Sequence, residues 1–178
     1  MSDIEDVTDL VRADGTFGRI RPTFEFMKPR LSRWIAFGFG SGLSRVAPGT
    51  VGTLFAWLSF VLLDPLLGSG GMAMLIALGL VAGHWAIDRT GRDIGAHDHG
   101  AIVWDEIVAF WLVLWVIPAT FSWQLMGFLL FRLFDIVKPR PIRAIDRTWQ
   151  NAFGVLADDL MAAAYTLLLM AVWSRLFG

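Results

Sequence analysis

Five acidic residues stand at the ends of strongly apolar segments, where their side chains could do chemistry together. They are Asp105, Glu106, Asp135, Asp158 and Asp159. Two carboxylates about 6 Å apart repel by roughly 3 kcal/mol at an effective dielectric constant of about 20, so a cluster needs a divalent cation or basic neighbours. Oxygen ligands beside partly hydrated space suit Mg²⁺, which also binds the phosphate oxygens of substrates. The acids therefore predict a Mg²⁺ site for phosphate chemistry.

Helix capping is the alternative explanation for these acids. Carboxylates at helix N-termini are stabilised by the helix dipole by about 0.3–1 kcal/mol each, which accounts for four of the five taken singly. It fails for Asp135, because this residue ends its apolar segment and so meets the negative end of the dipole. Arg132, three residues earlier, offsets part of that cost. The position of Asp135 favours the metal site over capping with surface ion pairs.

Basic residues follow Asp135 at once. Lys138, Arg140 and Arg143 alternate with two prolines that fix the backbone and stop the helix. Together with Arg132, they are candidates for neutralising a phosphate group. A cytoplasmic anchor of positive charge is the alternative, and it is the better interpretation for Arg143 and Arg147.

Two further motifs have open interpretations. Residues 38–45 are glycine-rich and precede Thr50, and glycines let backbone N–H groups approach an anion near a helix start. Ser41 and Thr50 are therefore candidate phosphate contacts, whereas a flexible entry capped by Thr50 explains the same residues. The sequence His97-Asp98-His99 predicts a proton shuttle or metal ligand, or a plain surface loop.

Apolar segments must position these groups. Hydrophobic residues make up 56% of the 178 residues and charged residues 17%, with a mean hydropathy of +0.58, unlike ordinary soluble domains. Apolar runs cover residues 50–67, 72–87, 104–118, 121–134 and 160–173. This pattern predicts an all-α, polytopic membrane helical bundle of about five apolar helices. The third and fourth runs are short against the roughly 20 residues of a spanning helix, so a re-entrant hairpin satisfies the pattern equally well.

The basic residues predict the orientation of this bundle. All of the 15 except Arg175 fall on one side if each run crosses, and that side should be the cytoplasm. The N-terminus is then cytoplasmic, and the carboxylates lie at the cytoplasmic surface. No cleaved secretory signal is expected at the acidic N-terminus.

The segment before the first run has two interpretations. Between Phe24 and Phe37, apolar residues alternate with Lys28, Arg30 and Arg33, which is typical of a helix in the headgroup plane or of a tail packed on the bundle. We divide the chain into an N-terminal cytoplasmic or interfacial segment, residues 1–33, and a membrane-embedded domain, residues 34–178.

Composition also excludes several classes of protein. The chain has no cysteine, which rules out a cysteinyl phosphatase. A formal net charge of −1 argues against nucleic acid as a partner. Acids near apolar helices are also typical of ion or proton transporters, but here none lies in the middle of a run, so no path across the membrane is marked. A noncatalytic membrane scaffold stays open as a further alternative.

Four sequence blocks in order resemble the phosphatidylglycerophosphatase A family, from about Trp34 to the end of the fifth run. They are Gly40-Ser41-Gly42-Leu43-Ser44 with Ala47-Pro48-Gly49-Thr50, His97-Asp98-His99-Gly100 with Ile102-Val103-Trp104-Asp105-Glu106, Phe131-Arg132-Leu133-Phe134-Asp135-Ile136-Val137-Lys138-Pro139 with Pro141-Ile142, and Gly154 with Asp158-Asp159. Arg45 and Thr53 depart from the proline and serine usual in the family, and neither departure touches the carboxylates.

The resemblance implies a bacterial inner-membrane, Mg²⁺-dependent phosphatase that converts phosphatidylglycerophosphate to phosphatidylglycerol. It implies metal-assisted hydrolysis with Mg²⁺ held by some of the five carboxylates. The catalytic candidates are Asp105, Glu106, Asp135 and His97, of which a carboxylate free of metal or His97 takes a proton from water. The candidate phosphate contacts are Arg132, Lys138, Arg140, Ser41 and Thr50. The expected partners are the phospholipid substrate and the membrane.

Overall fold

The computed structural model describes residues 22–140, 142, 149 and 151–177, and this part of the chain is helical with no strand. Its elements are α1 (Phe24–Met27), α2 (Leu31–Ala36), a 3₁₀ segment (Gly38–Leu43), α3 (Pro48–Ile94), α4 (Trp104–Val116), α5 (Phe121–Val137) and α6 (Ala152–Phe177). The all-α prediction is confirmed at this level. The acidic N-terminus, Arg143 and Arg147 lie outside the described residues.

The first two predicted apolar runs form the two arms of α3, which are two helices in direct succession. The stretch is interrupted at Gly68, whose φ of 64° and ψ of 176° are outside the helical region. This positive φ is a conformation that side chains with a Cβ rarely adopt, so glycine permits the chain to reverse here. The apolar pattern marked both arms and the short connection between them, but not the conformation of Gly68 that reverses the chain.

Indole hydrogen bonds from α4 show how the two arms of α3 run. The first arm lies parallel to α4 and the second runs back antiparallel to it. The bonds join Trp111 Nε1 to the Ala56 carbonyl (3.0 Å), Trp115 Nε1 to the Ser69 carbonyl (3.1 Å) and Trp104 Nε1 to the Gly79 carbonyl (2.9 Å).

Helix α4 is the centre of the bundle and contacts α3, α5 and α6. Its side chains are buried on nearly every face, as Ile107, Val108, Phe110 and Val113 show. Thirteen residues extend about 20 Å, which is less than the roughly 30 Å hydrocarbon core of a bilayer. A helix that is apolar all round and this short is packed inside protein.

Two helices, α3 and α6, are long and apolar enough to cross a membrane. Helix α6 begins at Ala152, eight residues before the predicted run, so the acid pair Asp158 and Asp159 lies within the helix instead of preceding it. Large apolar side chains such as Leu62 and Leu168 are more than 60% exposed on these helices. A periphery of this kind is typical of a lipid-facing surface, and we describe the chain as a membrane protein.

The N-terminal helices pack against the bundle. Met27, Ala36 and Phe37 are fully buried in a cluster with Ile87 of α3. The guanidinium of Arg33 pairs with Asp93 at 3.0 Å, and α2 continues across the predicted boundary at residue 33. The described residues from Phe24 onwards are therefore packed against the bundle.

Candidate active site

The start of α4 meets the end of α5 through one guanidinium. Arg132 Nη1 lies 3.0 Å from Glu106 Oε2 and 2.7 Å from Asp135 Oδ2, and all three side chains are largely buried. Arg132 precedes Asp135 by one helical turn, so it compensates the acid that the dipole of α5 disfavours. The ion pair thus joins carboxylates from two helices into one centre.

Three more carboxylates surround this centre. Asp105, Asp158 and Asp159 are 8%, 5% and 3% exposed. Asp159 is close enough to interact electrostatically with the other four acids, and Asp105 interacts in the same way with Glu106, Asp158 and Asp135. Packing of α4, α5 and α6 therefore places all five acids at one end of the bundle.

Basic groups compensate only part of this charge. Lys138, which ends α5 in a left-handed conformation, donates a hydrogen bond from Nζ to Asp158 Oδ2. Asp105 Oδ1 and Asp159 Oδ2, by contrast, are buried without a hydrogen-bond partner among the described residues. Because unpaired buried carboxylate oxygens are costly, these two atoms are where a cation would be stabilising.

The carboxylates do not already surround a common point. Within the described part of the chain, no group of three or more His, Cys, Asp or Glu side chains is arranged as a ready metal site. Glu106 and Asp135 are instead turned towards Arg132. The donor set suits a hard cation, but binding one would require some of these ion pairs to rearrange.

The two acids at the start of α4 have raised pKa values. Burial raises the pKa of the Glu106 carboxyl to about 7, although the Arg132 guanidinium acts to lower it. Burial also raises the pKa of Asp105 well above its usual range, and repulsion from Glu106 adds to the rise. A cation near these groups would favour their ionised forms.

Glycine is required where α3 begins beside Glu106. A Cβ added at Gly49 would lie 2.1 Å from Glu106 Oε1, so any larger residue would displace that carboxylate. The first turn of α3 starts at Pro48, with Ala47 as the N-cap residue, which makes Thr50 the third helical residue and not the cap. The helix start and Glu106 are thus in direct contact.

Thr53 connects three parts of this centre. The expectation that its departure from the serine usual in the family does not touch the carboxylates is wrong, because its hydroxyl lies against Glu106. Its side chain is fully buried. The Thr53 hydroxyl lies 2.9 Å from the Gly49 carbonyl and 3.4 Å from Glu106 Oε2, and it accepts a hydrogen bond from Arg132 Nη1 at 3.4 Å. Thr53 therefore holds Glu106 and Arg132 against the first turn of α3.

Replacing Thr53 with valine is expected to lower the phosphatase activity that the family resemblance implies roughly 10-fold to 100-fold, because a hydrogen bond to a charged group contributes about 1.5–3 kcal/mol. Thr53→Ser keeps the hydroxyl and should retain most of the activity. Thr166→Val is the matched control, since Thr166 is equally buried and bonds the Ala162 carbonyl in the same way in α6. Phosphate release and thermal unfolding of the three variants test this. Equal losses in Thr53→Val and Thr166→Val would contradict a role specific to Thr53.

Four other predicted residues make contacts elsewhere. His97 Nε2 lies 3.4 Å from Asp88, and the Ser41 hydroxyl donates to the Gly38 carbonyl at 2.8 Å. Arg140 is exposed, and its carbonyl accepts a hydrogen bond from Tyr165. Thr50 is half-buried in the first turn of α3. None of the hydrogen bonds or ion pairs described for the carboxylate centre involves these four residues.

The fold and this centre define a helical membrane protein with a buried acidic and basic site at one end of its bundle. The family model described as Phosphatidylglycerophosphatase A matches residues 34–174. The chain belongs to this family.

Two relatives have the same name as the family. The Phosphatidylglycerophosphatase A of Haemophilus influenzae is 44% identical over 137 residues, 76% of this chain and 84% of that one. The Phosphatidylglycerophosphatase A of Escherichia coli is 40% identical over 129 residues, 72% of this chain and 74% of that one.

A third relative carries a different name. This protein of Bacteroides thetaiotaomicron is 37% identical over 151 residues, 81% of this chain and 94% of that one, and is provisionally named a phosphatidylinositol-3-phosphatase. No solved structure matches the chain.

Proposed function

We propose that this protein is a Mg²⁺-dependent lipid phosphatase that hydrolyses the terminal phosphate monoester of phosphatidylglycerophosphate, giving phosphatidylglycerol and inorganic phosphate. Family membership and the names of two relatives support the substrate. The observation that carries the chemistry is the ion pair of Arg132 with Glu106 and Asp135, surrounded by three more buried acids.

The donor set fits Mg²⁺. Asp105 and Asp159 would hold the ion through the two buried oxygens that lack hydrogen-bond partners, with Glu106 or Asp135 as further ligands. Carboxylate oxygens with water and substrate phosphate are the ligands that Mg²⁺ prefers. When bound, the ion supplies Lewis-acid activation of the phosphoryl group and of water.

The side chains of this chain would perform the remaining steps. Arg132 presents a planar fork that can pair with two phosphate oxygens, and Lys138 supplies a point charge beside it. A carboxylate oxygen of Glu106 or Asp135 would accept the proton of the attacking water. Thr53 would hold Glu106 in place for accepting the proton and Arg132 in place for binding the phosphate. His97 is less suited as the base, since it pairs with Asp88.

We place the protein in the bacterial inner membrane, as a multi-pass protein with its site at the cytoplasmic surface. Support for this orientation comes from the basic residues, since all but Arg175 fall on the side of the carboxylates if each apolar run crosses. Whether α4 and α5 form a re-entrant hairpin in this arrangement stays a prediction.

Phosphate release by the purified full chain in detergent micelles tests the proposal. We expect turnover of phosphatidylglycerophosphate with Mg²⁺ and none with EDTA, and slower turnover of phosphatidylinositol 3-phosphate. Mg²⁺ should also raise the thermal unfolding temperature, because a ligand that binds the folded state stabilises it. That shift should be lost in Asp159→Asn. A transporter or a scaffold would release no phosphate under any of these conditions, and that result would overturn the proposal.

A further inference from the structure

A cavity lies beside the carboxylate centre. It has a volume of about 1190 Å³, somewhat above the roughly 300–1,000 Å³ of ordinary ligand pockets. Its wall is formed by the loop between α3 and α4, by the end of the 3₁₀ segment with the residues that lead into α3, and by residues 22–24 at the start of α1. The glycine-rich and His-Asp-His motifs, which were inconclusive as sequence, thus meet at one cavity.

Close backbone contacts fix the walls of this cavity. A Cβ added at Gly42 would lie 2.1 Å from the Ala101 carbonyl oxygen, so the two segments touch through their main chains. His99 Nδ1 accepts a hydrogen bond from the Ala101 N–H at 3.1 Å. The Val103 N–H donates to the Ala36 carbonyl at 2.9 Å, which ties the loop to α2. The cavity is therefore built into the packed part of the bundle.

The cavity adjoins the candidate active site through the start of α3. Pro48 lines the cavity, and the next residue, Gly49, packs directly against Glu106. The cavity and the carboxylate centre therefore both adjoin the first turn of α3.

The charges in the cavity suit a phosphate attached to a hydroxylated group. Arg45 lines it, is exposed and makes no ion pair with any described residue. Asp98 also lines it, and its carboxylate would repel a phosphate but can accept a hydrogen bond from a hydroxyl. The cation of Arg45 and the acceptor of Asp98 together suit a glycerol phosphodiester, which has both a negative charge and a hydroxyl. An anion without a hydroxyl would use only Arg45.

We infer that this cavity binds the lipid-side phosphodiester and central glycerol of the substrate, with Arg45 contacting the diester phosphate and Asp98 the free glycerol hydroxyl. The inference rests on the proposed function, since phosphatidylglycerophosphate carries a diester and a monoester phosphate separated by a three-carbon glycerol. With the monoester at the carboxylate centre, the diester reaches the neighbouring cavity. Arg45 is then a specificity residue for the lipid.

Steady-state kinetics of Arg45→Gln test this inference. We expect KM for phosphatidylglycerophosphate to rise about 10-fold with kcat unchanged, the effect of losing one charge-assisted contact made equally in substrate and transition state. Inhibition by phosphatidylglycerol, which has only the diester, should weaken by the same factor. Inhibition by glycerol 3-phosphate, which has only the monoester, should not change. Arg92→Gln is the matched control, because Arg92 is an exposed arginine outside the cavity that pairs with Asp88.

The possible results separate the two proposals. A wild-type protein that releases no phosphate overturns the proposed function. An active wild-type protein overturns the inference if phosphatidylglycerol does not inhibit it, if Arg45→Gln keeps the wild-type KM, or if the variant loses both inhibitors equally. Thermal unfolding of Arg45→Gln checks its fold. Arg45→Lys keeps the charge and should show a KM between those of the wild type and Arg45→Gln. If the glutamine variant does not fold, a wild-type KM in Arg45→Lys overturns the inference and a raised KM supports it.

Discussion

Asp135→Asn is expected to lower the turnover of phosphatidylglycerophosphate by about 10²–10⁴-fold while the protein stays folded. This is the range observed when a group that moves a proton is removed. Asparagine keeps the shape of the side chain and can still accept a hydrogen bond from Arg132. It removes the negative charge that the C-terminal end of α5 disfavours, and Arg132 keeps its ion pair with Glu106, so folding should suffer little.

Asp64→Asn is the matched control for this variant. Asp64 lies in the first arm of α3 near Gly68, at the end of the bundle opposite to the carboxylates. The same change of charge there should leave phosphate release at the wild-type rate. Both variants should give the same unfolding temperature within a few degrees. Wild-type activity in Asp135→Asn would show that Asp135 takes no part in catalysis. The grouping of the five acids would then not be evidence for a catalytic site.

Arg132→Met is expected to lower both stability and activity. In the ion pairs described, Arg132 is the one residue that pairs with both Glu106 and Asp135, and methionine leaves both carboxylates buried without that partner. Removing one member of a buried ion pair costs about 3–5 kcal/mol of folding free energy, because the remaining charge stays desolvated. The guanidinium that neutralises the phosphate is lost as well, so phosphate release should fall below detection.

A double variant separates these two effects. Adding Asp135→Asn to Arg132→Met removes one of the uncompensated charges and should restore part of the lost stability, measured as the unfolding temperature in detergent. Activity should not return, because both groups are absent from the reaction. If the double variant is less stable than Arg132→Met, the two side chains do not interact as the ion pair requires, and the electrostatic account of the centre is wrong.

Much of the architecture was predictable because apolar runs and isolated charges are local properties of the chain. The runs predicted helices, and the acids at their ends predicted a charged centre at one end of the bundle. The opposition between Asp135 and the helix dipole pointed to Arg132 as its partner, and the two side chains do pair at 2.7 Å. The four sequence blocks were sufficient for the family, which the family model confirms over residues 34–174.

Helix boundaries and connections were less predictable. The first two runs became arms of one stretch because a single glycine, Gly68, reverses the chain, and hydropathy carries no signal for the direction of a turn. Helix α6 begins earlier than its apolar run, because burial against α4 lets Asp158 and Asp159 lie inside a helix that hydropathy alone would end. For α6, tertiary contacts outweighed the local pattern.

The sequence by itself determined the class of fold, the family and the residues able to carry charge at one end of the helices, because these depend on residue type and spacing. Only the tertiary structure decided which of these residues meet. Glu106 contacts Gly49, Thr53 and Arg132, which are far from it in the chain. The cavity that Arg45 lines is likewise formed by segments that are far apart in the sequence. Such contacts are set by how helices pack, and packing depends on the shapes of all the side chains at once.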